Sequence, residues 1–178
     1  RRAAPEAVVL YASTNKVYGA MSDLAVEEGP TRYRFRDLPH GVAEDRPLDF
    51  HSPYGCSKAC GDQYARDYAR IYGLRTVVLR QSCIYGIRQF GIEDQGWMAH
   101  LAMAARERRP ITVFGSGKQV RDVLWIGDLL AAYDAAAERI DEVAGDVFNI
   151  GGGPAHSVSV WAEMRPRLEA LCGRSLEA

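Results

Sequence analysis

Tyr54-Gly55-Cys56-Ser57-Lys58 sets a phenol and an ammonium four residues apart. On a helix such a pair shares one face, so the ammonium can stabilise a phenolate and bring the tyrosine pKa from about 10 toward neutrality. A tyrosine so tuned is a general acid or base at working pH. The same spacing also arises as a solvated lysine beside a half-buried tyrosine, and the pair alone leaves both readings open. A second polar cluster, Ser13-Thr14-Asn15-Lys16-Val17-Tyr18-Gly19, directly follows an apolar run and offers hydroxyls, an amide and another ammonium. Gly115-Ser116-Gly117-Lys118 is not a Walker phosphate loop, because Thr112 stands where that motif has its first glycine and Gln119 where it has Ser or Thr. Cys56, Cys60, Cys83 and Cys172 lack the second Cys or His pair of a zinc site, so they read as buried free thiols and no metal is expected.

These groups need elements to hold them. Residues 8–11 form a first strand, apolar throughout as a strand covered on both faces should be. Residues 20–51 carry Gly29-Pro30, Pro39 and Pro47 without sustained periodicity and read as a long loop, a candidate substrate-contacting flap. Ser52-Pro53 caps and opens a helix that runs to about Tyr72 and stops at Gly73. Residues 75–79 are a second strand, 85–95 are irregular, and 96–109 form a helix with Trp97, Leu101 and Ala104 on one face. A short strand over 111–114, an extended stretch over 119–125 and an alanine-rich helix over 126–140 follow, with Asp128 in that helix's first turn. Residues 146–150 are a third buried strand, Gly151 to Gly153 a turn, and 157–172 a last helix. Strands alternating with helices predict an α/β fold, a parallel sheet with helices on both faces. Both polar clusters then lie just after strands, where open α/β sheets place their ligands.

Composition narrows the chemistry. The 178 residues are 47% hydrophobic and 25% charged, as in an ordinary globular chain. A net charge of -1 supplies no field to gather nucleic acid or anionic lipid, so neither nucleic acid nor membrane is an expected partner. Apolar stretches such as 99–105 fall far short of the ~20 residues that cross a bilayer, and a cytoplasmic protein acting on small molecules is expected. The chain opens Arg1-Arg2-Ala3-Ala4-Pro5 without Met and reaches its first apolar run almost at once, as if cut from a longer protein.

Thr14 before Tyr54-x-x-x-Lys58 resembles the Ser/Thr…Tyr-x-x-x-Lys triad of extended short-chain dehydrogenases that act on nucleotide sugars, the NAD-dependent epimerase/dehydratase family. Leu79-Arg80-Gln81-Ser82-Cys83-Ile84-Tyr85-Gly86 resembles that family's passage into its substrate domain. Arg121-Asp122 with Asp128, and Phe148-Asn149-Ile150-Gly151-Gly152, resemble later family elements, so nearly the whole chain is covered in order. The stretches 13–19, 48–58, 94–97 and 117–124 most resemble the family's 2-epimerases of CDP-linked sugars. The resemblance implies the C-terminal part of a Rossmann-type parallel sheet with helices on both faces, plus a small α/β substrate-binding region. Residues 1–84 would be what remains of the dinucleotide-binding domain, and 85–178 mainly the substrate-binding region with a returning strand and helix.

It further implies transient oxidation of a sugar hydroxyl with NAD as cofactor. Tyr54 would carry the proton, Thr14 would hydrogen-bond the reacting oxygen, and Lys58 would bind the nicotinamide ribose. Gln81 and Ser82 would contact the cofactor with Tyr54 and Lys58, while Arg121 and Arg88 would meet the pyrophosphate of the nucleotide sugar. An ion pair of Arg121 with Asp122 or Asp128 is the alternative for that residue. Asn15 and Lys16 would touch substrate or simply hold their loop. They stand where the family's 4,6-dehydratases carry an acidic pair, which favours an epimerase. No Gly-x-x-Gly-x-x-Gly follows an initial strand, so the phosphate-cradling helix start is absent from these residues and the chain is expected to be the C-terminal part of an enzyme that is a homo-oligomer when full length. Another epimerase, a 4,6-dehydratase, or a noncatalytic sugar-nucleotide-binding module remain alternatives.

Overall fold

The structure is a computed structural model that describes residues 3–93 and 95–177. Arg1 and Arg2, and Asp94 at the start of the stretch 94–97 read above, lie outside the described residues. In chain order the elements are β1 (Val9–Thr14), a single-turn 3-10 helix (Asn15–Tyr18), β2 (Val26–Glu28), β3 (Tyr33–Phe35), α1 (Ser52–Tyr72), β4 (Thr76–Gln81), β5 (Cys83–Tyr85), α2 (Trp97–Glu107), β6 (Val120–Trp125), α3 (Ile126–Glu138), α4 (Ile140–Val143), β7 (Val147–Ile150), a second 3-10 turn (Pro154–His156), β8 (Ser157–Ser159) and α5 (Met164–Cys172). They form two compact units. One holds the residues up to Asp23, Val42–Ser82 and Ile126–Gly151; the other holds Leu24–Gly41, Cys83–Trp125 and the residues from Gly152 onward.

The first unit is a parallel sheet in the order β1-β4-β7. Its central strand is buried along its whole length, and alternation assigns its two faces. Val77 and Leu79 pack with Ala136 and Ile140 from the α3–α4 side, the burial of each larger aliphatic side chain contributing about 1.5–3 kcal/mol. On the other face Thr76 donates to the Ala65 carbonyl of α1, 2.7 Å away, and Arg80 reaches Asp62 of the same helix. The parallel sheet with helices on both faces is therefore present. α1 comes close because its inward stripe is small, with Gly55 and Ala59 buried. Gly61 leaves the notch that holds Tyr11, since a Cβ there would sit 2.1 Å from the phenol oxygen. The helix ends as expected at Gly73, whose φ of 63° is the left-handed cap.

The second unit is built on β6, paired parallel to β5 and antiparallel to β8. Leu101, Ala104 and Ala105 of α2 pack against Val158, Met164 and Leu168, and Trp97 joins them. The β2–β3 hairpin is antiparallel. Arg32, in its turn, is clasped by Glu163: Nε donates to Oε1 at 2.6 Å, and a second guanidinium nitrogen pairs with Oε2. Glu163 also accepts from Thr31 and from the Ser159 amide. The Arg32 guanidinium holds its carboxyl down to about 2 despite partial burial.

Several sequence expectations need correction. The first strand runs on to Thr14 and is exposed at its start, because it is the outer strand of the sheet as described. β7 is only half-buried for the same reason. Residues 20–51 are not loop throughout, since the hairpin lies within them. Residues 111–114 form no strand. The last helix begins at Met164, because Ser157–Ser159 pairs with β6 as β8. The cysteines are free, but Cys56 and Cys60 are exposed, each one position beyond the buried stripe of Gly55 and Ala59. Gly115 to Lys118 is a structural turn: Lys118 bonds Glu28 at 2.7 Å and its carbonyl accepts from the Tyr33 amide, which tethers the hairpin. Gly117 approaches Trp161 so closely that a Cβ would lie 2.8 Å from the tryptophan Cβ.

Candidate active site

Tyr54, Lys58 and Asp62 stand at i, i+4 and i+8, one row on α1 that descends from solvent into the core. Tyr54 keeps 48% of its surface exposed, Lys58 is half-buried, and Asp62 has none exposed. The Lys58 ammonium donates to the Ala12 carbonyl in β1 at 2.8 Å and lies 5.7 Å from the centre of the Tyr11 ring. Tyr11 donates in turn to the Lys58 carbonyl at 3.2 Å. Burial, followed by the neighbouring Asp62, Tyr54 and Cys60, pushes the Tyr11 phenol above its ordinary value, so it stays a neutral donor.

Thr14 ends β1 and is almost fully buried. Its Oγ1 accepts from the Lys16 amide at 3.3 Å, capping the single turn that displays Asn15 and Lys16 as exposed side chains. Thus Thr14, Asn15, Lys16, Tyr54 and Lys58 all belong to the first unit, at the C-terminal end of β1 and the start of α1. Gln81, at the end of β4, donates its amide to the Tyr133 hydroxyl of α3, and the Ser82 amide donates to the Ile150 carbonyl at 3.0 Å.

Arg88 and Arg121 belong to the second unit, and both are exposed. The Arg121 guanidinium donates to the Val120 carbonyl at 2.9 Å. Asp122 is committed to the glycine turn, accepting from the amides of Gly152 at 2.7 Å and Gly153 at 3.3 Å. Gly152 is required there, because a Cβ would sit 2.1 Å from the Val123 carbonyl oxygen.

Sequence reasoning missed the polar network behind the tyrosine. Asp62 accepts from Ser13 at 2.8 Å and is gripped by both Nε (2.9 Å) and Nη2 (3.1 Å) of Arg80. Arg80 Nη1 donates to the Tyr18 hydroxyl at 2.8 Å, which donates to Asn149 Oδ1 at 2.7 Å. One signal could have exposed it: an arginine inside the buried run Thr76 to Gln81 cannot stay there without a carboxylate partner. Among the described residues no group of His, Cys, Asp and Glu is arranged to hold a metal, and no helix is long and apolar enough to cross a membrane.

Residues 1–151 match the NAD dependent epimerase/dehydratase family. A CDP-paratose 2-epimerase from Salmonella typhi is 47% identical over 169 residues, 92% of this chain and 50% of that protein. The chain thus spans about half the length of that curated relative. Among solved structures, dTDP-glucose 4,6-dehydratase from Bacillus anthracis, in complex with NAD, superposes with a TM-score of 0.75 at 27% identity, over 98% of this chain and 49% of that one. UDP-glucuronic acid 4-epimerase from Bacillus cereus, in complex with NAD, superposes at 0.73 and 30% identity, over 93% of this chain and 47% of that one. With its Tyr-x-x-x-Lys row set against the C-terminal end of β1, the chain belongs to the NAD-dependent epimerase/dehydratase family.

Proposed function

We propose that this chain is part of a nucleotide-sugar epimerase that works by transient, NAD-dependent oxidation of a sugar hydroxyl, inverting carbon 2 of CDP-paratose. The observation that carries this is the Tyr54–Lys58 row anchored through Ala12 beside Thr14, in a chain 47% identical to a CDP-paratose 2-epimerase. Asn15 and Lys16 project from the turn after Thr14 and bring no carboxylate to it, which supports an epimerase over a dehydratase.

The residues present suit the nicotinamide end of NAD. Lys58 spends one donor on Ala12 and keeps two for ribose hydroxyls, and Tyr54 is open to solvent beside it. Gln81 and Ser82, closing β4, are the other cofactor contacts in this reading. When bound, NAD supplies reversible hydride acceptance. Tyr54 takes the proton from the sugar hydroxyl as the alcohol becomes a ketone, and returns it when the ketone is reduced on its other face. Thr14 hydrogen-bonds the reacting oxygen while its charge changes. Asn15 and Lys16 contact the sugar, and Arg121 and Arg88 the pyrophosphate, for which a planar guanidinium suits well.

In this account residues 1–84 are mainly the remaining part of the dinucleotide-binding domain, the hairpin segment Leu24–Gly41 grouping instead with the second unit, and 85–178 are mainly the substrate-binding region, the returning helix and strand being α3 and β7. The intact enzyme is a cytoplasmic homo-oligomer. Tyr54→Phe tests the assignment. It removes the proton carrier from an exposed position, so folding should be unchanged and epimerisation should fall by several powers of ten, at or beyond the ~10²–10⁴ of a general acid–base group. Near-parental turnover by the phenylalanine variant would refute it.

A further inference from the structure

The buried ion pair behind Tyr54 has no evident stability rationale. Asp62 and Arg80 are 0% and 2% exposed, and a buried pair contributes no more, on balance, than well-packed apolar residues of similar volume. A forked guanidinium does, however, fix both distance and angle. Asp62 Oδ2 receives Ser13 of β1 and Arg80 of β4, and Arg80 passes the connection through Tyr18 to Asn149 of β7. One helical turn earlier, Lys58 bonds Ala12. Two successive positions of the α1 row are thereby tied to two successive residues of β1, and the next residue of β1 is Thr14.

We propose that Asp62 and Arg80 are positioning residues that hold the Tyr54–Lys58 row of α1 in register with Ala12, Ser13 and Thr14 of β1. The proposal rests on the functional reading above. Deleting one charge strands the other, so Asp62→Asn can fail by unfolding. The informative variant is Asp62→Leu with Arg80→Met, which removes both charges and keeps the volume. Made in the intact enzyme, it should fold with a thermal midpoint within a few degrees of the parent. KM for the nucleotide sugar should stay within about two-fold, while kcat should fall about 10²-fold, as expected when reacting groups are misplaced by an ångström. In its crystal structure the Lys58 Nζ to Ala12 oxygen contact should be lost. Arg80→Lys keeps the charge without the fork, so it should keep stability near the parent's yet lose kcat as the double variant does, whereas a merely structural pair would leave kcat at the parental level.

A folded double variant with parental kcat would overturn the proposal, as would one whose α1 has not moved against β1. If the double variant does not fold, Arg80→Lys decides in the same way. The crystallographic result also separates this proposal from the functional one. Should Tyr54→Phe turn over normally, the role of Tyr54 as proton carrier falls, and the displacement of α1 still decides what the ion pair does.

Discussion

Arg80–Asp62 in the first unit and Arg32–Glu163 in the second join the same two groups at different depths. The side chains of the first pair are 1% and 0% exposed; those of the second are 21% and 19% exposed. Arg80 and Asp62 tie three strands of the sheet to the helix that carries Tyr54. Arg32 and Glu163 tie the hairpin turn to β8, through Ser157 and Ser159, just before α5. Depth decides what breaking each pair does. A buried charge that loses its partner keeps its full desolvation penalty, whereas a partly exposed one is rehydrated.

Breaking the buried pair should therefore have the larger effect. Asp62→Asn leaves the Arg80 guanidinium uncompensated and should cost about 3–5 kcal/mol in denaturant unfolding of the intact enzyme. A loss below ~1 kcal/mol would mean that water reaches Arg80 and that the two pairs differ little. Glu163→Gln in the same assay should cost less, about 1–3 kcal/mol, because the glutamine oxygen can still accept from the Ser159 amide while its NH2 turns to the Thr31 hydroxyl, and only the charge and one acceptor toward Arg32 are lost.

Acid sharpens the comparison. The Glu163 carboxyl is lowered from 4.5 to about 2, so its stabilising effect is complete above 4.5 and fades as the pH falls toward 2. Denaturation curves between pH 7 and 2 should show the parent losing its advantage over Glu163→Gln across that window. An advantage that persisted unchanged at pH 2 would contradict the assignment.

Local signals in the sequence were enough for the helix that carries Tyr54. Pro53 in its first turn and Gly73 beyond its end bracket 52–72, and the apolar run at 76–79 marks the central strand. The hairpin was hidden because Val26–Glu28 and Tyr33–Phe35 are too short and too charged to show alternation. Ser157–Ser159 was read as helix because only its pairing with distant β6 makes it a strand. At the site, Thr14, Tyr54 and Lys58 could be named from their types and order. Asp62 and Arg80 could not be paired, since eighteen positions separate them and only the folded register, Ser13 opposite Arg80, brings them together. Cys56 and Cys60 were misplaced by about 100° of helical turn, the difference between the stripe that faces the sheet and the flank beside it.

The central claim is that a sugar alcohol is oxidised and re-reduced with one phenol as proton carrier. Running the intact enzyme on CDP-paratose in heavy water, with mass spectrometry of the product sugar, tests it directly. Hydrogen that leaves and returns as hydride does not exchange with solvent, so the product should carry no deuterium on carbon. Deuterium at carbon 2 or carbon 3 would instead show enolisation, and a product lighter by one water would show a dehydratase; either result would contradict the account.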